Sequence, residues 1–405
     1  MSWRRNLYAV TAASFIGFTG FTLVMPFLPL YFQLLGVHDV GEIALWSGLS
    51  LGVTPAMTAL LSPLWGRFAD RFGRKIMVER SLVSFIVIMA AMAFVNQPWH
   101  VFALRAIQGL FAGYGALTIT MAADSAPRDR MASAIGVVQT AQRLGPALGP
   151  AIGGTVAQLV GLRMAFLVTA VFYAVALVLV FVMYKETDAF GDNLRAGHGR
   201  VAFRNVLAFE NFILLMAVVF GLQFVDRSFG PVLPLFVAEL GASANRVPIV
   251  SGMLFSMTAG AGALGHHLCG RLLRMTSARV IISVCGGIAA VGTALFAAAT
   301  STSVLLAATP FFGLAIGAAT TAAYTAAGTV IPSSARGAGF GLLTTASLLG
   351  LAISPIASGF LGATSIRSVF LLDTIALLAL AGTVTRVMVT TPLTAPPTPQ
   401  AAEEI

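Results

Sequence analysis

Apolar positions in this chain form long continuous stretches, and polar positions collect in short gaps between them. Twelve such stretches can be drawn, at about 7–33, 42–65, 76–96, 99–123, 131–158, 163–184, 209–238, 247–269, 279–299, 302–330, 335–361 and 366–390. Each is long enough, at roughly 18 residues or more, to cross ~30 Å of hydrocarbon as an α-helix. Their continuity argues against transmembrane strands, whose apolar positions would alternate. The pattern predicts an all-α polytopic membrane protein with 12 transmembrane helices. The first stretch is too long for a cleaved signal segment and is expected to stay as a helix.

Composition and charge sharpen this picture. The 405 residues are 58% hydrophobic and 10% charged, where an ordinary globular domain carries about a quarter charged residues. A net charge of +9 raises nucleic acid as a partner, and the distribution of that charge argues against one. With the N-terminus inside, only Arg163, Arg246 and Arg367 of the 24 Lys and Arg fall on outer loops. Arg80, Arg105, Arg143 and Arg227 lie within spans, and the others fall on the inner side. This is the positive-inside bias, and it places both termini in the cytoplasm. Trp3 and Trp65 mark the inner interface, Trp46 and Trp99 the outer one. Cys269 and Cys285 lack metal-ligand spacing and read as small buried residues. No metal or other cofactor is expected, and no nucleophile–base constellation suggests an enzyme.

The chain also repeats itself at an offset of about 204–205 residues. Pro26-Phe27-Leu28-Pro29-Leu30-Tyr31 recurs as Pro231-Val232-Leu233-Pro234-Leu235-Phe236. Ser47-Gly48 matches Ser251-Gly252, Gly66-Arg67 matches Gly270-Arg271, and Arg163 and Phe166 match Arg367 and Phe370. Two six-helix bundles follow, at 1–184 and 209–390, related by an axis along the membrane normal. A polar cytoplasmic linker (185–208) joins them, and the proline-rich tail (391–405) is expected to be disordered.

Several motifs carry chemistry. Gly66-Arg67-Phe68-Ala69-Asp70-Arg71-Phe72-Gly73-Arg74-Lys75 fills the gap between the second and third stretches. So many charges cannot rest in hydrocarbon, which predicts a loop at the inner interface. The first helix carries Gly20-x5-Pro26-x-Leu28-Pro29, whose prolines bend its axis. The fourth carries Arg105-Ala106-Ile107-Gln108-Gly109, and an arginine buried in a span costs about 2.5–3.5 kcal/mol on insertion scales. It reads as functional, as half of a structural ion pair, or as a side chain reaching for the outer interface. The fifth carries Gly145-x3-Gly149-Pro150-x2-Gly153-Gly154, where glycines one turn apart let another helix approach closely. Asp226-Arg227 lies mid-way along the seventh. Adjacent helical residues point about 100° apart, so these two are expected to look elsewhere for partners. Asp226 reads as the only acid near the bilayer centre, either a proton carrier or part of a fixed pair with Arg143 or Arg105.

Together these motifs resemble the major facilitator superfamily of secondary transporters, over nearly the whole chain. The first- and fifth-helix motifs are similar to its branch of twelve-span drug:proton antiporters. The resemblance implies a cytoplasmic latch built from Gly66, Asp70, Arg71, Gly73, Arg74 and Asp124. Asp70 would face the start of the eleventh helix around Ser333 and Ser334, and Arg74 would relay to Asp124. Arg274 stands where a second-half copy of Asp70 would align, so the latch is expected to be single. The resemblance also ties Arg105 to proton transfer, together with Asp226. It gives Gly145, Gly149, Pro150, Gly153 and Gly154 the task of sealing the cavity. Cavity walls from the first and seventh helices would present Phe15, Phe18, Phe21, Phe220, Gln223 and Phe224, with Gln108 and Arg143 as polar groups. Gln139 and Gln142 are further polar candidates, and many phenylalanines must simply face lipid. His266-His267 reads as interfacial rather than metal-binding.

The expected function is proton-coupled efflux of lipophilic, amphipathic drugs across a bacterial inner membrane by alternating access, performed by a monomer. The partners would be such a substrate, protons and the bilayer, with no nucleic acid. The alternative is export or symport of a specific metabolite such as a sugar or nucleoside; a non-transporting membrane scaffold is a third reading.

Overall fold

A computed structural model describes residues 2–127, 130–185, 209, 211–331 and 336–389. Most of the expected linker, the tail 391–405, Ser333 and Ser334 lie outside the described residues, as do the side chains of Gly66, Arg67 and Asp70. The described part is helical: α1 (Ser2–Val24), α2 (Leu28–Leu34), α3 (Val40–Phe72), α4 (Arg74–Met92), α5 (Pro98–Leu110), α6 (Tyr114–Ser125), α7 (Met131–Val160) and α8 (Leu162–Met183). It continues with α9 (Phe212–Ser228), α10 (Leu233–Glu239), α11 (Val247–Leu272), α12 (Ala278–Ala298), α13 (Thr302–Val330), α14 (Arg336–Thr364) and α15 (Ile366–Val387).

Nine of the described stretches are long and apolar enough to cross a membrane, or ten if the bent pair α9 and α10 is one span. α4 and α7 occupy the third and fifth expected stretches outside that number. α4 opens with Arg74, Lys75, Glu79 and Arg80, and α7 is diluted by glycines, Pro146, Pro150 and Arg143.

Three expected spans are broken, each at residues that cannot continue a regular helix. A 3₁₀ turn, Met25–Phe27, separates α1 from α2 around Pro26. α9 and α10 meet at 45° across a break that contains Gly230 and Pro231. α5 and α6 part at Gly113, whose φ of 133° suits glycine. That last break frees carbonyls that side chains then take. Trp65 Nε1 donates to Leu110 O at 2.6 Å, and Arg80 Nη2 donates to Phe111 O at 3.0 Å. The Arg80 guanidinium also stacks on the Trp65 ring, 3.6 Å from its centroid.

The run 66–75 corrects the sequence reading. It is not a loop: α3 continues to Phe72, and the chain turns only at Gly73, with φ 96° and ψ 145°. Charge at the interface does not stop a helix whose backbone bonds are already made inside it. Here the stop comes at Gly73, a residue free to adopt positive φ.

α1–α8 pack into one bundle and α9–α15 into a second. The internal repeat is visible in their side chains. Asn6 Nδ2 donates to Lys185 O (2.7 Å) while Lys185 N donates to Asn6 Oδ1 (3.0 Å). Asn211 makes the same two-way clasp with Val389, at 3.0 and 3.1 Å. Arg163 donates to Ala93 O at 3.0 Å, and Arg367 to Ala297 O at 2.6 Å. Each bundle is thus tied from its first helix to the end of its last.

Two seams join the bundles, α3 against α14 and α7 against α11. A methyl group added at Gly48 would lie 2.3 Å from Pro355 O, and one at Gly252 would lie 2.3 Å from Pro150 O. Gly41, Gly52 and Gly154 meet partner backbone across these seams in the same way. All of these contacts lie in the half of the molecule away from Gly73, Arg74 and Lys75, which mark the basic end. Gly136, Gly260 and Gly341, nearer the basic end of α7, α11 and α14, meet nothing within 4 Å. Among the described residues the bundles therefore close at the far end and part toward the basic one.

Candidate functional site

Along α7 the glycine motif has two working faces. Methyl groups at Gly145, Gly149 and Gly153 would lie 2.8 Å from Thr19 N, 2.7 Å from Thr19 O and 1.8 Å from Leu23 O, so this row seats α1 inside the bundle. Gly154, beside Pro150, instead meets Pro248 O of α11 across the seam. The proline kink presents Ala151 N to Ser256 Oγ at 2.9 Å, a hydrogen bond between bundles.

Deep in the first bundle, Arg105 is 1% exposed. Its Nε donates to Ser50 O at 3.2 Å and its Nη1 donates to Gln108 Oε1. The guanidinium lies 5.8 Å from the Phe21 ring centroid, and Thr54 Oγ1 donates to Arg105 O at 2.8 Å. Among the described residues no carboxylate pairs with it, so its fork is held by neutral acceptors. Gln108 faces Arg105 in this state, not open space. Phe18 packs near Tyr114, with ring centroids 6.0 Å apart, and against Gly145.

At the basic end Arg74 and Asp124 form an ion pair between the start of α4 and the last turn of α6. Lys75 Nζ donates to Phe181 O and Tyr184 O at 3.0 and 2.9 Å, and Arg71 lies 5.3 Å from the Phe72 ring centroid.

Between the bundles a cavity of about 270 Å³ is lined by Arg143, His266, Thr320, Thr321, Tyr324 and Thr325. His266 Nδ1 and Thr321 Oγ1 share a hydrogen bond of 2.7 Å. Gln223 Nε2 donates to Ser347 Oγ at 3.1 Å, and Phe220 and Phe224 stand one turn apart, with centroids at 6.0 Å. Gln142 turns away into its own bundle, bonded to Gly115 O and Thr118. A larger, open cavity of about 510 Å³ lies at the far end, around Gln33, Gln158, Arg163 and Asn245, remote from these groups.

Two expectations about acids need correction. Asp226 and Arg227 do pair, with Oδ2 and Nε 3.3 Å apart. The arginine stem is long enough to fold back over the 100° between neighbours. Nor is Asp226 the only acid deep in a span. Asp373 of α15 is 0% exposed, and its Oδ2 lies 2.5 Å from Ser228 Oγ at the end of α9. A plain census of the 15 acids would have found it inside the apolar run 366–390. Its partner, 145 residues away, carries no sequence signal.

Residues 10–312 and 268–404 match the family model described as Major Facilitator Superfamily. The chain is 31% identical over 277 residues to a "Multi-drug resistance efflux pump PmrA homolog" of Lactococcus lactis, covering 67% of each protein. It is 33% identical over 272 residues to "Multidrug resistance protein MdtG" of Salmonella paratyphi A, again covering 67% of each. The fold matches the solved structure of the nucleoside transporter NupG with a TM-score of 0.77 at 16% identity, over 94% of this chain and 98% of that one. It also matches an inward-facing bacterial homolog of the human lysosomal transporter Spinster with a TM-score of 0.76 at 16% identity, over 95% and 96%.

Proposed function

Because the chain belongs to the Major Facilitator Superfamily, we propose that it is a proton-driven exporter of lipophilic and amphipathic compounds, working by alternating access in a bacterial inner membrane. On this reading α4 and α7 complete a set of twelve spans, both termini are cytoplasmic, and the chain works as a monomer. The basic end then faces the cytoplasm, and the arrangement described above is the inward-open state.

The observation that carries the reading is the pair of glycine-lined seams. Two bundles that meet through backbone carbonyls at one end, and part at the other, can rock about the contact without unfolding either body. The drug-pump names of the relatives support the choice of substrate. Phe220, Phe224 and the neighbouring phenylalanines offer an apolar wall with little directional demand. Arg74 and Asp124, with Gly66, Asp70, Arg71 and Gly73, make up the cytoplasmic latch, which fastens the two halves in the outward-facing state. Asp226 exchanges the proton, its pairing with Arg227 broken in one phase of the cycle, and Arg105 fixes a positive charge in the opposite bundle.

Inside-out vesicles test the proposal. With an acid lumen, adding a transported dye to the outside releases lumenal protons, and Asp226→Asn abolishes that release while leaving the protein in the membrane. A wild type that moves dye with no proton flux for any compound overturns the antiport reading. The polar lining around Arg143, His266, Thr320 and Tyr324 favours a second reading, carriage of a defined polar metabolite. A competition panel separates the two: a specific carrier responds to one chemical class, a drug pump to many.

A further inference from the structure

We propose that Asp373 is a proton-binding group of the second bundle, and that its proton holds the bend in the seventh expected span. The argument is a count of hydrogens. Ser228 Oγ lies 2.5 Å from Asp373 Oδ2 and 2.9 Å from Val225 O. A hydroxyl has one hydrogen and can satisfy only one of these acceptors. If Asp373 carries the proton, its Oδ2–H donates to Ser228 Oγ, and Ser228 donates onward to Val225 O. Both contacts are then proper hydrogen bonds. If Asp373 is ionised, the hydroxyl must turn to the carboxylate and abandon Val225 O. The backbone N–H of Phe229, at the end of α9, goes instead to Arg227 O, so Ser228 is the donor the structure shows for that carbonyl.

The surroundings favour the protonated form. Asp373 Oδ1 is buried with no hydrogen-bond partner among the described residues. Phe229, Phe236, Phe296, Phe312 and Phe370 form a ring cluster around this level, with centroids 5.0 to 5.9 Å apart. A carboxylate in such a place needs a counterion, because an unpaired buried charge is expensive.

Charged and titratable groups on the helices packed against α15 do not supply one. On α9, Asp226 and Arg227 pair with each other. On α12, Arg279 donates to Thr385 O, and Cys285 is a free thiol. On α14 only Arg336 is charged, and its side chain lies outside the described residues at the basic end. On α15 itself, Arg367 sits with Glu239 and Ala297 O, and Arg386 occupies the last turn.

Ser228 is the final residue of α9, directly before the 45° break. Loss of the proton therefore frees a carbonyl at the bend and leaves a charge that water must reach. Both changes loosen the contact between α9 and α15. In the proposed cycle Asp373 is a second proton site beside Asp226, a consequence that rests on the proton-coupled reading, although occupancy of the site does not.

Infrared difference spectra of the purified full-length protein in lipid, neutral against alkaline, test occupancy directly. The wild type shows a protonated carboxyl carbonyl band that Asp373→Asn lacks and Ser228→Ala shifts, with folding of each variant checked by monodisperse elution. No such band in the wild type, or one unchanged in Asp373→Asn, overturns the proposal even if transport is proton-coupled. In vesicles, the rate of dye exchange between the two sides loses its pH dependence in Asp373→Asn. An unchanged pH dependence overturns the link to the bend. If the wild type itself shows no proton coupling, the function reading fails while the band still stands.

Discussion

The two bundles share a skeleton and differ in the charge each hides. Offset by 204 residues, Arg105 corresponds to Thr309 and Gln108 to Phe312, while Asp373 corresponds to Thr169. The first bundle buries a base held by Ser50 O and Gln108, and the second buries an acid held by Ser228. Among the described residues, neither finds its opposite charge within its own bundle. The asparagine clasps, the carbonyl bonds of Arg163 and Arg367 and the glycine seams recur in both halves, where they set the geometry. On the proposed cycle the charged centres can differ, because rocking needs matching bodies, whereas coupling needs only that their charges respond differently.

The strongest way to break this comparison is to remove the base. Arg105→Ala strips Gln108 Oε1 of its donor and opens a hole, a loss of about 1–3 kcal/mol for the buried acceptor left unsatisfied, with a cavity cost on top. We expect a clear fall in thermal unfolding temperature and loss of transport. Arg105→Lys restores charge without the planar fork and recovers the melting temperature better than the activity. The corresponding change in the other bundle, Thr309→Ala, leaves both measurements near wild type.

The seams come next. Gly48→Val and Gly252→Val each force a side chain against a carbonyl 2.3 Å away, an overpacking cost of about 1–3 kcal/mol against the closed far end. Thiol labelling of cysteines placed at that end should rise in both variants and by similar amounts. A large inequality between the two would show that the seams are not equivalent. One known asymmetry is Ser256, which bonds across its seam to Ala151 N while Gly52 holds the matching place in the other. Ser256→Ala should weaken the α7–α11 seam by about 0.5–1.5 kcal/mol, a several-fold shift in labelling. The Arg74–Asp124 pair has no copy in the second bundle, where Ala278 and Gly328 hold the matching positions. In a double-mutant cycle on melting temperature, Arg74→Ala and Asp124→Ala should couple by about 1 kcal/mol or less, because the pair is partly exposed.

Much of this architecture was legible in the chain. Hydrocarbon demands unbroken apolar runs, so the stretches announced themselves, and a repeated Pro-x-Leu-Pro marked two of the three broken spans. The partnership of Arg74 with Asp124 followed from the family resemblance of the motif at the basic end. Other features were hidden for physical reasons. α3 runs on to Phe72 because backbone bonds, and not side-chain polarity, decide where a helix stops. Asp226 folds onto its neighbour because side-chain length outweighs helical angle. Asp373 is legible as an acid within an apolar run, while its pairing with Ser228, at the end of a distant helix, is not. Gln108 was expected on the cavity wall, and its place is set by Arg105 one turn earlier.

The paired asparagine clasps carry a consequence for how the molecule could be divided. Asn6 fastens to Lys185 and Asn211 to Val389, so each half closes on itself without help from the stretch of chain between them. Two separate polypeptides, one ending after Lys185 and the other beginning shortly before Asn211, should find each other in the bilayer through the glycine seams. Together they should restore drug tolerance to a sensitive cell, as neither fragment would alone.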